Sequence, residues 1–136
     1  MPHFLDTNVL LYAISPNPEE AAKRAQADAL LRREDGALSV QVLQEFYVQA
    51  TRTTRVGRLP HDLAAGLVRA WSRFRMQDMT LPIVEAALEI KARHGFSYWD
   101  SAIVAAARAL GCTTLYTEDL AHGRQIEGVV IVNPFR

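Results

Sequence analysis

The chain has a single cysteine, Cys112, so no disulfide can close within it. That excludes the disulfide-stapled class of small secreted folds and fits a reducing cytoplasm. Charge of one sign is also lacking: fifteen basic residues balance fifteen acidic ones. Binding to nucleic acid through bulk positive charge is thereby excluded. A polyanion would have to be held by a local basic face, a metal ion or a partner. No apolar run approaches the ~18–20 residues of a membrane span, so no membrane association is expected. The opening MPHFLD has neither a basic segment nor an apolar core, and no secretory signal is expected there. His3, His61, His94 and His122 show no zinc-ligand spacing, and no Gly-rich phosphate loop occurs. Repeats and low-complexity tracts are absent too.

What is present is a chain of 136 residues, 49% hydrophobic, enough to build one core. A single domain over 1–136 is expected. The pattern predicts short strands at Phe4–Leu5, Ala37–Ser39, Gln77–Thr80, Thr113–Tyr116 and Val129–Val132. Helices are predicted over Val9–Ile14, Glu19–Arg33, Val40–Thr53, His61–Phe74, Leu81–His94 and Tyr98–Leu110. Thr7 or Asn8 would cap the first helix, Ser39 the third and Ser97 the last, and Gly95 and Gly111 would end the two that precede them. Strands alternating with helices imply a three-layer α/β/α domain around a mostly parallel sheet of about five short strands.

In such sheets ligands bind beyond the carboxyl ends of the strands. Asp6 stands just beyond the first strand and Asp119 just beyond the fourth; their plain structural readings are a helix cap or turn residue for Asp6 and a strand-to-loop turn for Asp119. Asp100 opens a helix whose only later charge is Arg108, and it shares a face with Ile103, Val104 and Ala107. Ser97-x-x-Asp100 also has the form of a capping box, which is the plain structural reading of that carboxylate. A carboxylate aimed inward costs several kcal/mol unless a cation compensates it. Gathered carboxylates repel, and oxygen-only clusters of this kind relieve the repulsion by holding Mg²⁺ or Mn²⁺. Glu45 lies roughly opposite Leu43 on its helix, which by periodicity alone places it on a solvated face.

Four stretches together resemble the PIN-domain ribonucleases, most closely the VapC-like toxins of bacterial toxin–antitoxin pairs. They are Leu5-Asp6-Thr7-Asn8-Val9-Leu10-Leu11-Tyr12, then Ser39 with Glu45 six residues on, then Tyr98-Trp99-Asp100-Ser101-Ala102, and Thr117-Glu118-Asp119. The resemblance covers essentially the whole chain, in the right order. One departure is Leu120-Ala121-His122-Gly123, where many members carry an aromatic, and Glu118 stands as a neighbouring competitor to Asp119.

The resemblance implies a metal-dependent endoribonuclease that cuts structured RNA such as transfer RNA. It implies Mg²⁺ or Mn²⁺ held by Asp6, Asp100 and Asp119, with Glu45 completing the catalytic site and overriding its periodicity. It further implies a cognate antitoxin and a homodimer. Thr7, Asn8 and Thr117 are candidates to support the metal-binding carboxylates, or simply to cap and turn the chain. Arg52, Arg55 and Arg58, in the link after the third helix, are candidates to grip RNA phosphate; Arg69, Arg73 and Arg75 form a second cluster, and either set can equally be solvated surface. Trp71 and Trp99 are expected in the core rather than stacked on bases. Two other readings remain: a catalytically silent RNA- or protein-binding module, and a housekeeping RNA-processing nuclease without an antitoxin. A phosphoryl-transfer or receiver domain needs a lysine near the strand-end Asp, and neither Lys23 nor Lys91 follows a strand.

Overall fold

A computed structural model of the chain describes residues 2–136. Six strands, β1 (His3–Leu5), β2 (Gly36–Ser39), β3 (Arg75–Gln77), β4 (Thr114–Tyr116), β5 (Gln125–Ile126) and β6 (Val129–Val132), form one sheet in the order β3-β2-β1-β4-β6-β5. All neighbours pair in parallel except β5 with β6. The helices are α1 (Thr7–Ala13), α2 (Ala21–Arg32), α3 (Val40–Thr51), α4 (His61–Trp71), α5 (Leu81–His94) and α6 (Tyr98–Ala109), with a 3-10 turn at Pro18–Glu20. Every residue of β1 and β2 is buried, as strands covered by helices on both faces require. Helix α6 packs on β2, β3, β4 and β6 with α5 against it, while α1 packs on α2 and α3, and α3 on α4. Among the described residues no helix is long and apolar enough to cross a membrane.

The expected α/β architecture is observed, with three local corrections. The sheet has six strands, because Gln125–Ile126 turns back on β6 through Glu127 (φ 52) and Gly128 (φ 82). Two positive φ values in a two-residue loop make a type I′ hairpin, which two-residue strands are too short to announce in sequence. The third strand lies at Arg75–Gln77 rather than Gln77–Thr80. Thr80 instead caps α5, its hydroxyl accepting from Ile83 N at 3.3 Å. And the cap of α1 is Asp6, not Thr7 or Asn8.

The topology selects one place on the sheet. From β1 the chain moves outward through β2 and β3, then crosses back to β4 on the other flank of β1. The carboxyl ends of β1 and β4 therefore flank the switch point, where open α/β sheets bind ligands. Asp6 N donates to Tyr116 O at 3.1 Å, so the chain leaves both strands side by side.

Candidate active site

Asp6 is only 6% exposed. Its carboxylate is held at both oxygens: Oδ1 accepts from Thr7 N at 2.7 Å and Oδ2 from the Thr117 hydroxyl at 2.8 Å. Thr117 is fully buried and in turn accepts from Asn8 Nδ2 at 3.2 Å and Asp119 N at 3.1 Å. Asn8 Nδ2 also donates to Asp119 Oδ2 at 3.2 Å. Thr7 Oγ1 donates to Glu45 Oε1 at 3.4 Å, and Gln41 Nε2 to the same oxygen at 3.1 Å. Thr7, Asn8 and Thr117 thus join the loop after β1 to the loop after β4 and to α3.

Three of the four carboxylates are raised, and a neighbouring acid contributes to each. Burial pushes Asp6 up to about 7 against its two hydrogen bonds, with Asp119 and Glu45 adding to the rise. Burial raises Glu45 as well, helped by Asp100 and Asp119. Asp100 is raised by burial and by Asp119. Asp119 therefore acts on the other three. All three shifts come first from burial and only then from neighbouring negative charge.

Glu45 is half-buried, not on a solvated face. The buried stripe of α3 centres on Val42 and Phe46 and includes Gln41. Glu45 is about 60° from Val42 at 3.6 residues per turn, inside that stripe. Leu43 marks only its far border. Gln41, 3% exposed, was not singled out in the sequence. Its i, i+4 spacing from Glu45 is the one signal that points to it.

Glu118 is turned out of the cluster. Tyr12 Oη donates to it at 2.9 Å, and Lys23 Nζ lies 4.0 Å away. The divergent segment after Asp119 is tied down differently: Asn133 N donates to His122 Nδ1 at 2.9 Å and Gly123 N to Ile131 O at 2.8 Å.

The arginines are not brought to the carboxylates. The link carrying Arg52, Arg55 and Arg58 sits against the turn after α1, where a Cβ on Gly57 would meet Pro16 Cγ at 2.6 Å. Arg55 and Val56 line a cavity there with Ser15, Pro16 and Glu20. Arg73 and Arg75 stand at the amino end of β3, on the opposite edge of the sheet. Trp71 is in the core, edge-on to Phe46 at 4.7 Å. Trp99 is not: it is 61% exposed, beside Asp100.

A family model for the PIN domain matches residues 3–125. The chain belongs to the PIN-domain family. No curated protein matches the chain significantly by sequence. Solved structures do. A toxin–antitoxin complex from Klebsiella pneumoniae aligns at TM-score 0.72 and 20% identity, over 98% of each chain. VapC20 of Mycobacterium tuberculosis, described as a sarcin-ricin loop cleaving toxin, aligns at TM-score 0.68 and 22% identity over 86% of this PIN domain and 91% of its own chain. A FitAB complex bound to a DNA fragment aligns at TM-score 0.72 and 22% identity, over 98% of this chain and 96% of that one. These likenesses show the PIN fold.

The donor set is all oxygen, which fits a hard divalent cation and not zinc. Among the described residues no three His, Cys, Asp or Glu side chains converge on one point closely enough to hold an ion by themselves. Mg²⁺ in general takes one or two carboxylates and fills its shell with waters and substrate phosphate.

Proposed function

We propose that this PIN domain is a divalent-metal-dependent endoribonuclease, the toxin of a toxin–antitoxin pair acting on structured RNA such as transfer RNA. The observation that carries the reading is the gathering of Asp6, Glu45 and Asp119 at the switch point through the hydrogen bonds of Thr7, Asn8 and Thr117, with Asp100 close enough at the start of α6 to raise Glu45. Family membership supports the nuclease, and the relatives described as toxin–antitoxin complexes support the partner. Asp6, Asp100 and Asp119, with Glu45, would hold Mg²⁺ or Mn²⁺. Bound there, such an ion polarises a phosphoryl oxygen and makes water a better nucleophile.

The chain's own residues do the rest. Asp6 is locked by Thr7 N and Thr117, so its oxygens face the site in one orientation. Asn8 fixes Asp119 in the same way. Glu45, raised by burial and by two like charges, is closer to neutral pH than an ordinary glutamate and accepts the proton of the attacking water. Asp119 is the alternative base. Arg52, Arg55 and Arg58 contact phosphates remote from the cut, along a path past α1. The protein acts as a single cytoplasmic domain, and Leu63 on α4 and Leu81 and Leu88 on α5, all more than half exposed, offer apolar surface for an antitoxin or a second copy.

The deciding experiment is cleavage of total RNA and a transfer RNA pool with Mg²⁺, Mn²⁺ or EDTA, comparing wild type with Asp6→Asn and Asp100→Asn. Discrete metal-dependent cuts that vanish in both variants are expected. Cleavage that persists in EDTA and in both variants would overturn the reading. The lack of three converged ligands favours one other reading, a silent binding module. Folded protein that neither cuts RNA nor binds Mn²⁺ in calorimetry would establish it. Toxicity on expression, relieved by a protein encoded next door, separates a toxin from a housekeeping nuclease.

A further inference from the structure

Beside the acidic cluster lies a cavity of about 270 Å³ lined by Gln41, Gln44, Glu45, Val48, Gln49 and Trp99. Glu45 belongs to both, so the cavity opens directly from the reacting centre. Trp99 is the second residue of α6 and exposes 61% of its surface; Val48 across the cavity exposes 54%. An exposed tryptophan next to an exposed valine costs solvation unless something covers them. Trp99 is also held in place. Gln41 Nε2 donates to its carbonyl at 3.1 Å, and Tyr98 packs edge-on to its ring at 5.1 Å. Gln41 makes this bond although its own Oε1 is buried without a hydrogen-bond partner. An unpaired buried acceptor is a cost kept where geometry matters.

The lining chooses the ligand class. It has no basic side chain and one carboxylate, so it repels phosphate and acidic peptide. A flat aromatic face, an apolar wall and the carboxamides of Gln44 and Gln49 suit a neutral planar group with hydrogen-bonding edges. The volume falls just below the roughly 300–1,000 Å³ of pockets for drug-sized ligands, the scale of a single heterocycle. We propose that Trp99, with Val48, Gln44 and Gln49, forms a subsite that stacks one unpaired nucleobase of the RNA next to the scissile phosphate. Gln41 is its positioning residue, linking the tryptophan to Glu45. The proposal rests on the nuclease reading and adds the substrate feature: an unstacked base beside the cut, which favours loops over duplex.

The test titrates short oligoadenylate and oligouridylate RNA, in EDTA, against wild type, Trp99→Ala and Trp99→Phe, by anisotropy of the labelled RNA and by tryptophan emission. Trp99→Ala should weaken binding roughly 5- to 150-fold, the value of one stacked base, while Trp99→Phe keeps most of it. Removing one base from the oligomer should weaken wild type at one position and leave Trp99→Ala indifferent there. RNA affinity unchanged in Trp99→Ala overturns the subsite. So does loss of self-association in that variant with RNA affinity intact, which assigns the face to a second copy. Cleavage measured in parallel separates the two ideas. Metal-dependent cutting with an unchanged KM in Trp99→Ala sinks the subsite and spares the nuclease. Trp99-dependent binding by a wild type that never cuts does the reverse.

Discussion

The hydroxyl of Thr117 donates to Asp6 Oδ2 at 2.8 Å, joining residues 111 positions apart in the chain. It ties the loop after β4 to the carboxylate after β1 and also accepts from Asn8 and Asp119. One buried hydroxyl thus sets the positions of two acidic residues.

Thr117→Val keeps the shape and removes both functions of the hydroxyl. Unfolding by urea should show a loss of about 1–3 kcal/mol, the cost of leaving buried polar groups unpaired. Cleavage should fall about 10- to 100-fold, as for other residues that orient a metal ligand. Thr117→Ser should restore most of both. Full activity in the valine variant would remove Thr117 from the site.

Asp6 gives the metal-free protein a distinct pH dependence. Its folded value, about 7, lies above its ordinary value of 3.8. Between these the native state binds more protons than the unfolded chain, so stability falls as pH rises through that window. A shift of this size corresponds to on the order of 4 kcal/mol across the window. Thermal melts in EDTA should show a declining Tm from acid to neutral pH. Asp6→Asn should flatten that decline, and Mn²⁺ should reverse it for wild type by binding the folded state. A Tm that does not fall between those pH values would contradict the burial of a charged Asp6.

Adjacent acids should behave differently. Glu118 is engaged by Tyr12 and Lys23, away from the cluster. Asp119 acts on the other three carboxylates. Glu118→Gln should leave cleavage within a few-fold, while Asp119→Asn lowers it by two orders of magnitude or more, the scale of the several kcal/mol that metal catalysis supplies. The opposite pattern would exchange their assignments.

Gln41→Ala removes a hydrogen bond that holds Glu45 down. Glu45 should then titrate higher, and the acid limb of the pH–rate profile should move up with little change on the alkaline side. A uniform fall at every pH would mean that Gln41 supports structure alone.

The order of strands and helices was readable because each element carries its own local signal. Ser39 and Ser97 accept from Val42 N and Asp100 N as their caps predict, and Gly95 takes a left-handed φ of 75. The two-residue β5 carried no such signal, since its pairing comes entirely from a hairpin with β6. Of the three residues that could cap α1, Asp6 does so rather than Thr7 or Asn8, because it both ends a strand ladder and starts a helix. Trp99 was misjudged because a tryptophan in an apolar helix usually packs inward, whereas here it sits in the first turn and stays exposed.

By itself the sequence determined the α/β alternation and the presence of carboxylates after two strands and at the start of a helix. Those features depend on spacing, capping and chain direction, which are properties of neighbours along the chain. Only the tertiary structure decided that Glu45 turns in, that Asp119 rather than Glu118 faces Asp6, and that Trp99 stays uncovered. Each of these depends on what packs over the strand ends: a helix face shows its direction only once another element is laid against it.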